Sequence, residues 1–108
     1  METWDAIRAR RNVRAYSERP ISDGDLGRIL EAGRRAPSAS NTQPWDFVVV
    51  SDKSDLEELA LVWKGAGHIA RSAATIVIVA PITDDPRRGG LIEYDLGQAT
   101  LQMGSSLF

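Results

Sequence analysis

Three arginines, Arg10, Arg11 and Arg14, fall within five residues in the run Arg10-Arg11-Asn12-Val13-Arg14-Ala15-Tyr16. A guanidinium group offers paired, charge-assisted hydrogen bonds that match two oxygens of a phosphate. Clustered at a helix-to-loop boundary, such groups can surround a phosphate monoester. The same cluster also fits a solvated basic helix end, because cations suit the negative end of a helix dipole. A second segment with chemical content is Ala36-Pro37-Ser38-Ala39-Ser40-Asn41-Thr42-Gln43-Pro44-Trp45. Its small residues let a flat ring approach the backbone, and its Ser, Asn and Gln side chains supply donors and acceptors for the edge of a heterocycle. Without such a ligand it reads as a polar turn with Asx and Ser caps.

Other chemistries find little support. The chain has no cysteine, which excludes disulfides, thiolate catalysis and Cys-ligated metals. Its one histidine, His68, rules out a His-rich metal site and reads as a loop or helix-end residue. Glu93 and Asp95 have no matching partner carboxylate for acid–base work, and Asp84 to Gly90 reads as a solvated turn. The net charge of -2 does not suggest a nucleic-acid binder, although five arginines within residues 1–19 make the start locally basic. No signal peptide is expected, and the longest apolar run, Ala73 to Ile82, is too short to span a membrane. The expected location is the cytoplasm.

The elements that must position these residues follow from periodicity and end signals. Thr3 is the expected N-cap of a first helix reaching about Arg10. Ser22, followed by Asp23 and Asp25, opens a second helix that should stop near Ala36, ahead of Pro37. Phe47-Val48-Val49-Val50 is a strand. Ser54 and Glu57 form a capping box for a third helix with Leu56, Leu59, Ala60 and Trp63 on its apolar face. Thr75 to Ala80 is apolar at nearly every position, as in a strand buried on both faces. Pro81 to Gly90 reads as a charged loop, and helical spacing resumes at Leu91. Trp4, Trp45 and Trp63 are expected core anchors. With 108 residues, 43% hydrophobic and 26% charged, the chain reads as a single partial α+β domain over 1–108.

The Arg10–Tyr16 block, the Ala36–Trp45 block leading into its strand, and the later Asp95-Leu96-Gly97-Gln98-Ala99 resemble the nitroreductase family of FMN-dependent oxidoreductases. The resemblance covers residues 4–103, against a family whose members run far longer. It implies a truncated nitroreductase-like sandwich, with helices packed on a small central sheet. It also implies that Arg10, Arg11 and Asn12 lie at the ribityl phosphate, with Asn12 in place of the family's usual serine. Arg14 would face the pyrimidine side of the isoalloxazine. Pro37, Ser38, Ala39 and Ser40 would cover the flavin from the partner subunit of a homodimer, with Asn41 and Gln43 fixing that loop. The implied reaction is ping-pong: NAD(P)H, as co-substrate, reduces FMN, and a nitroaromatic, quinone or similar acceptor reoxidises it. No side chain need act as nucleophile or acid. The alternatives within the resemblance are a non-catalytic flavin-binding protein and an inactive remnant. With two clear strands, a monomer would expose a sheet edge and apolar surface, so a dimer or higher oligomer is expected.

Overall fold

This computed structural model describes residues 2–106 of the chain. Four α-helices, two β-strands and two short 3₁₀ turns make an α+β arrangement. Helix α1 spans Thr3–Ala9, so Thr3 is the first helical residue rather than the expected cap, and the flanking Glu2 makes no side-chain capping bond. Helix α2 spans Asp23–Arg34 and is capped as expected, with Ser22 Oγ accepting from the Asp25 N–H at 3.1 Å. Strand β1, Asp46–Val50, pairs antiparallel with strand β2, Thr75–Val79, in the register Asp46↔Val79 to Val50↔Thr75.

Helix α3, Lys53–Leu59, starts two residues earlier than a Ser54 cap would give. Asp52 takes that role: its Oδ1 accepts from the Ser54 and Asp55 N–H groups and from the Ser54 hydroxyl. The Ser54 hydroxyl, with these amides, holds the Asp52 carboxyl below the usual carboxylate range. Because α3 ends at Leu59, Trp63 lies beyond it. Its ring folds over Gly65, into space that a Cβ there would occupy, and the residue stays 65% exposed. Trp4 is exposed as well, which leaves Trp45 as the core tryptophan.

Helix α4 runs over Pro86–Ser105. The charged segment expected to be loop up to Gly90 is therefore partly its first turn. Asp85 Oδ1 accepts from the Arg87 N–H at 3.0 Å, and Pro86 follows directly, so cap and proline together start a helix before the apolar spacing begins. At the other end Gly104 does not interrupt the helix.

The core forms where α4 crosses the sheet. Ala36, Trp45 and Ala99 are buried together, with Phe47, Ile78 and Leu96 packed around them. Trp45 and Phe47 lie on one face of the strand region, ring centroids 6.3 Å apart. Helices α2 and α4 approach closely because Gly33 has no side chain. A Cβ there would lie 2.8 Å from Met103 Sδ and 3.1 Å from Phe47 Cζ. Gln102 Nε2 closes the contact by donating to the Ala32 carbonyl at 2.8 Å. β2 does not become the doubly buried strand its composition suggests: Thr75–Ile78 are half-buried and Val79 is exposed, since β1 is its only partner among the described residues.

Two predictions follow from this packing. Gly33→Leu overpacks the helix contact and should destabilise the chain by about 1–3 kcal/mol in urea unfolding. Gly27→Ala meets open space on the same helix and should stabilise it by up to about 1 kcal/mol through helix propensity. Near the C-terminal end of α2, bonds from Arg34 and then Arg35 hold the Glu31 carboxyl at about 2, below its ordinary 4.5. A depressed carboxylate contributes stability that is complete above pH 4.5 and is lost as the pH falls towards 2. Glu31→Gln, which resembles the protonated acid, should therefore match wild type near pH 2 and fall slightly below it above pH 4.5, flattening the acid limb; the drop is small, as expected of an exposed ion pair.

Candidate functional site

The loop after α2 is held in an unusual conformation. Ser40, Asn41 and Gln43 have φ of 51°, 54° and 50°, in the left-handed region that side chains disfavour. Each such residue costs roughly 1–2 kcal/mol, less for asparagine, so neighbouring contacts must hold it. Two bonds do so. Ser38 Oγ accepts from the Gln43 N–H at 3.0 Å, and Asp95 Oδ2 on α4 accepts from the Ala39 N–H at 3.1 Å. The exposed residues Asn41 and Gln43, expected to fix the loop, contribute backbone conformation to it, while Ser38 and Asp95 supply the side-chain bonds.

Asp95, which the sequence reading quotes in the Asp95–Ala99 block without giving it a role, is the side chain on α4 that anchors the loop. It is only 3% exposed, in the same helical stripe as the buried Ile92 and Ala99. An acid at a position where the helical period calls for an apolar residue was the available signal. Beside the loop lies a cavity of about 510 Å³, lined by Ala39, Ser40, Pro44, Trp45, Leu91 and Arg88, among others. Arg88, which read as part of a solvated turn, sits in the first turn of α4 and faces this cavity.

The arginine cluster lies elsewhere. Arg10 is the C-cap of α1, its N–H donating to the Ala6 carbonyl. Its guanidinium packs on the last turn of α4: Nε and Nη2 both lie 3.4 Å from where a Gly104 Cβ would be. Arg10 Nε is buried and has no hydrogen-bond partner among the described residues. Arg11, Asn12 and Arg14 are exposed on the extended segment that follows. A larger cleft, about 870 Å³, opens next to this region and is lined by Tyr16, Arg19, His68, Ile76, Met103 and Gly104, among others. Tyr16 and His68 face each other there, ring centroids 6.2 Å apart.

Within one chain the two expected halves of the site are thus not brought together. One rests on Asp95 and the other on Gly104, about 14 Å apart along α4 at the helical rise. Neither cavity is lined by Arg10, Arg11, Asn12 or Arg14. What the two places share is a capacity to hold rather than to react. One presents cationic donors to an oxyanion, and the other presents a rigid loop of small residues over an apolar cavity.

The model of the Nitroreductase family matches residues 7–85. A protein of Archaeoglobus fulgidus, provisionally named NADH dehydrogenase/NAD(P)H nitroreductase, is 42% identical over 79 residues, which is 73% of this chain and 45% of that protein. Among solved structures, an FMN-dependent nitroreductase from Clostridium difficile R20291 superposes with a TM-score of 0.83 at 26% identity, over 94% of this chain and 57% of its own. A provisionally named nitroreductase from Desulfovibrio desulfuricans, solved in complex with FMN, gives a TM-score of 0.78 at 28% identity, over 95% of this chain and 60% of its own. The chain spans about half the length of the relatives it matches. No helix among the described residues is long and apolar enough to cross a membrane.

The loop anchor is open to test. Asp95→Ala leaves the Ala39 N–H without its acceptor and should cost about 1–3 kcal/mol, whereas Asp95→Asn keeps an acceptor oxygen and should cost less. Protease nicking between Ser38 and Pro44 should speed up in the alanine variant ahead of any change in global unfolding.

Proposed function

The chain belongs to the nitroreductase family, and on that premise we propose that it forms the cofactor-binding front of an FMN-dependent oxidoreductase. Reducing equivalents pass in ping-pong fashion from NAD(P)H to a nitroaromatic, quinone or similar acceptor. The observation that carries the reading is the arginine cluster, in which the buried Nε of Arg10 has no hydrogen-bond partner among the described residues. Buried donors are almost always paired, and a cationic one without a partner suits an incoming oxyanion. The residues present therefore fit the phosphate of a flavin mononucleotide.

Bound FMN supplies the hydride chemistry, and the protein supplies placement and electrostatics. Arg10 and Arg11, with Asn12, take the phosphate. Arg14 provides positive charge on the pyrimidine side of the ring. Pro37, Ser38, Ala39 and Ser40 form a flat cover of small residues, kept rigid by Asp95 and so able to exclude water from one face of the ring. No side chain of this chain is assigned a proton-transfer step.

The separation of the two halves along α4 supports a site completed by a second copy, in which the loop of one protomer covers the flavin held by the arginines of the other. Exposed apolar residues are available for such a contact: Trp4, Ile7, Val13, Trp63 and Tyr94 are each more than half exposed. The reading sets the protein in the cytoplasm, where NAD(P)H is held.

The test is FMN uptake. The purified chain, soaked in FMN and desalted, should stay yellow at about one flavin per chain and bleach with NADH or NADPH. In light scattering it should run as a dimer at micromolar concentration. Arg10→Ala should weaken FMN binding by about 10- to 100-fold, the loss of a charge-assisted pair of bonds. A colourless wild-type chain sinks the cofactor reading. A yellow chain that neither nucleotide bleaches leaves a flavin-binding protein without the reductase activity.

A further inference from the structure

The first turns of α4 carry more polar chemistry than the loop anchor uses. Asp95, 3% exposed, gives Oδ2 to the Ala39 N–H, while its Oδ1 accepts no bond among the described residues. That oxygen is not sealed in, since Arg10 Nε is the one fully buried side-chain polar atom without a partner among those residues. Asp95 lines the cavity of about 510 Å³, so Oδ1 has that cavity to face. A carboxylate oxygen held so far from bulk water calls for an N–H donor. Seven residues earlier, and so on the same face of the helix, the exposed Arg88 lines the same cavity. It makes no ion pair among the described residues. The two residues lie about 10 Å apart along the helix axis. Between them Leu91 and Ile92, with Pro44 and Trp45 from the loop, give an apolar wall. Asp46, the other acid on that wall, is exposed at the start of β1 and screened by water.

The matching ligand has a flat apolar body, an N–H donor at one end and an anion at the other. The cavity's volume is that of a small-molecule site. An adenosine phosphate carries its groups in this order, from exocyclic amine through purine and ribose to phosphate. We infer that the cavity is an adenosine-phosphate subsite: Asp95 Oδ1 accepts from the amine, the apolar wall takes the purine, and Arg88 pairs with the phosphate. The source that fits is the adenosine half of NAD(P)H, an assignment that rests on the function proposed above. The nicotinamide half also has an amide donor and a phosphate, but it must reach the flavin to give up its hydride. The cavity is lined by Ala39 and Ser40, from the loop that covers the flavin in that reading. Docking the unreactive half beside this loop leaves the nicotinamide free to reach the ring.

The experiment is titration calorimetry on the flavin-free chain. The probes are adenosine 5′-monophosphate, adenosine, purine riboside 5′-phosphate (which lacks the amine) and nicotinamide mononucleotide. Adenosine 5′-monophosphate should bind most tightly, by about tenfold or more over adenosine. Arg88→Ala should lose that margin. Arg87→Ala makes the same change of charge one residue away, outside the cavity lining, and should keep it. Asp95→Asn keeps an oxygen for the Ala39 N–H and turns its N–H₂ to the cavity, so it should lose the preference for the amine-bearing purine. Protease nicking of the loop checks that its anchor is intact, and where nicking speeds up the two arginine variants decide. An Arg88→Ala chain with the wild-type margin, or tighter binding of nicotinamide mononucleotide than of adenosine 5′-monophosphate, overturns the inference. NADH or NADPH should displace adenosine 5′-monophosphate. If neither does, the subsite stands for a free adenine nucleotide and its assignment to the co-substrate is overturned. A chain that takes up no FMN yet shows this pattern loses the cofactor reading and keeps the subsite. A yellow chain that binds no adenosine phosphate keeps the cofactor reading and loses the subsite.

Discussion

The seating of α4 across the sheet is the constraint on which the rest depends. Ala99 has no solvent exposure and meets Ala36 and Trp45, so the helix axis is set by a contact between small side chains and one indole. At a contact this close-packed there is little freedom for the helix to slide or rotate. Four residues before Ala99, the same helix presents Asp95 to the loop. Five residues after it, Gly104 meets Arg10. The loop and the arginine are far apart in sequence and take their positions from one rigid rod.

The loop shows why that rigidity matters. Three non-glycine residues in left-handed conformations would not persist in a free segment, because each favours other backbone states by more than thermal energy. A buried carboxylate and a serine hydroxyl hold them there. The result is a surface whose shape is specified before any ligand arrives, which lowers the ordering cost of binding.

The sheet is the opposite case. Both strands are rich in branched apolar residues, yet among the described residues each has one partner, and Val48 and Val79 remain about half exposed. With the scattered exposed aromatics, this leaves a molecule with a small dry core and a large apolar surface for its size. Such a surface is stable in water when something covers it, which is the physical side of the proposal that two copies share one site.

Much of this was legible in the sequence. The Ser22 cap and Pro37 bracketed α2, and the runs of branched residues marked both strands, because these are local effects of backbone hydrogen bonding and sterics. The two segments with chemical content were also visible, since residue type and order carry chemistry directly. What only the tertiary structure decided was which partners those segments meet. Asp95 read as an unpaired acid until α4 set it against the Ala39 N–H. Trp4 and Trp63 read as core, but α1 buries none of its residues and α3 ends before Trp63, and nothing local to Gly104 marks its contact with Arg10. The physical reason is common to all three. Burial and pairing depend on what lies across a contact from a residue, and for Asp95 that neighbour is 56 positions away along the chain.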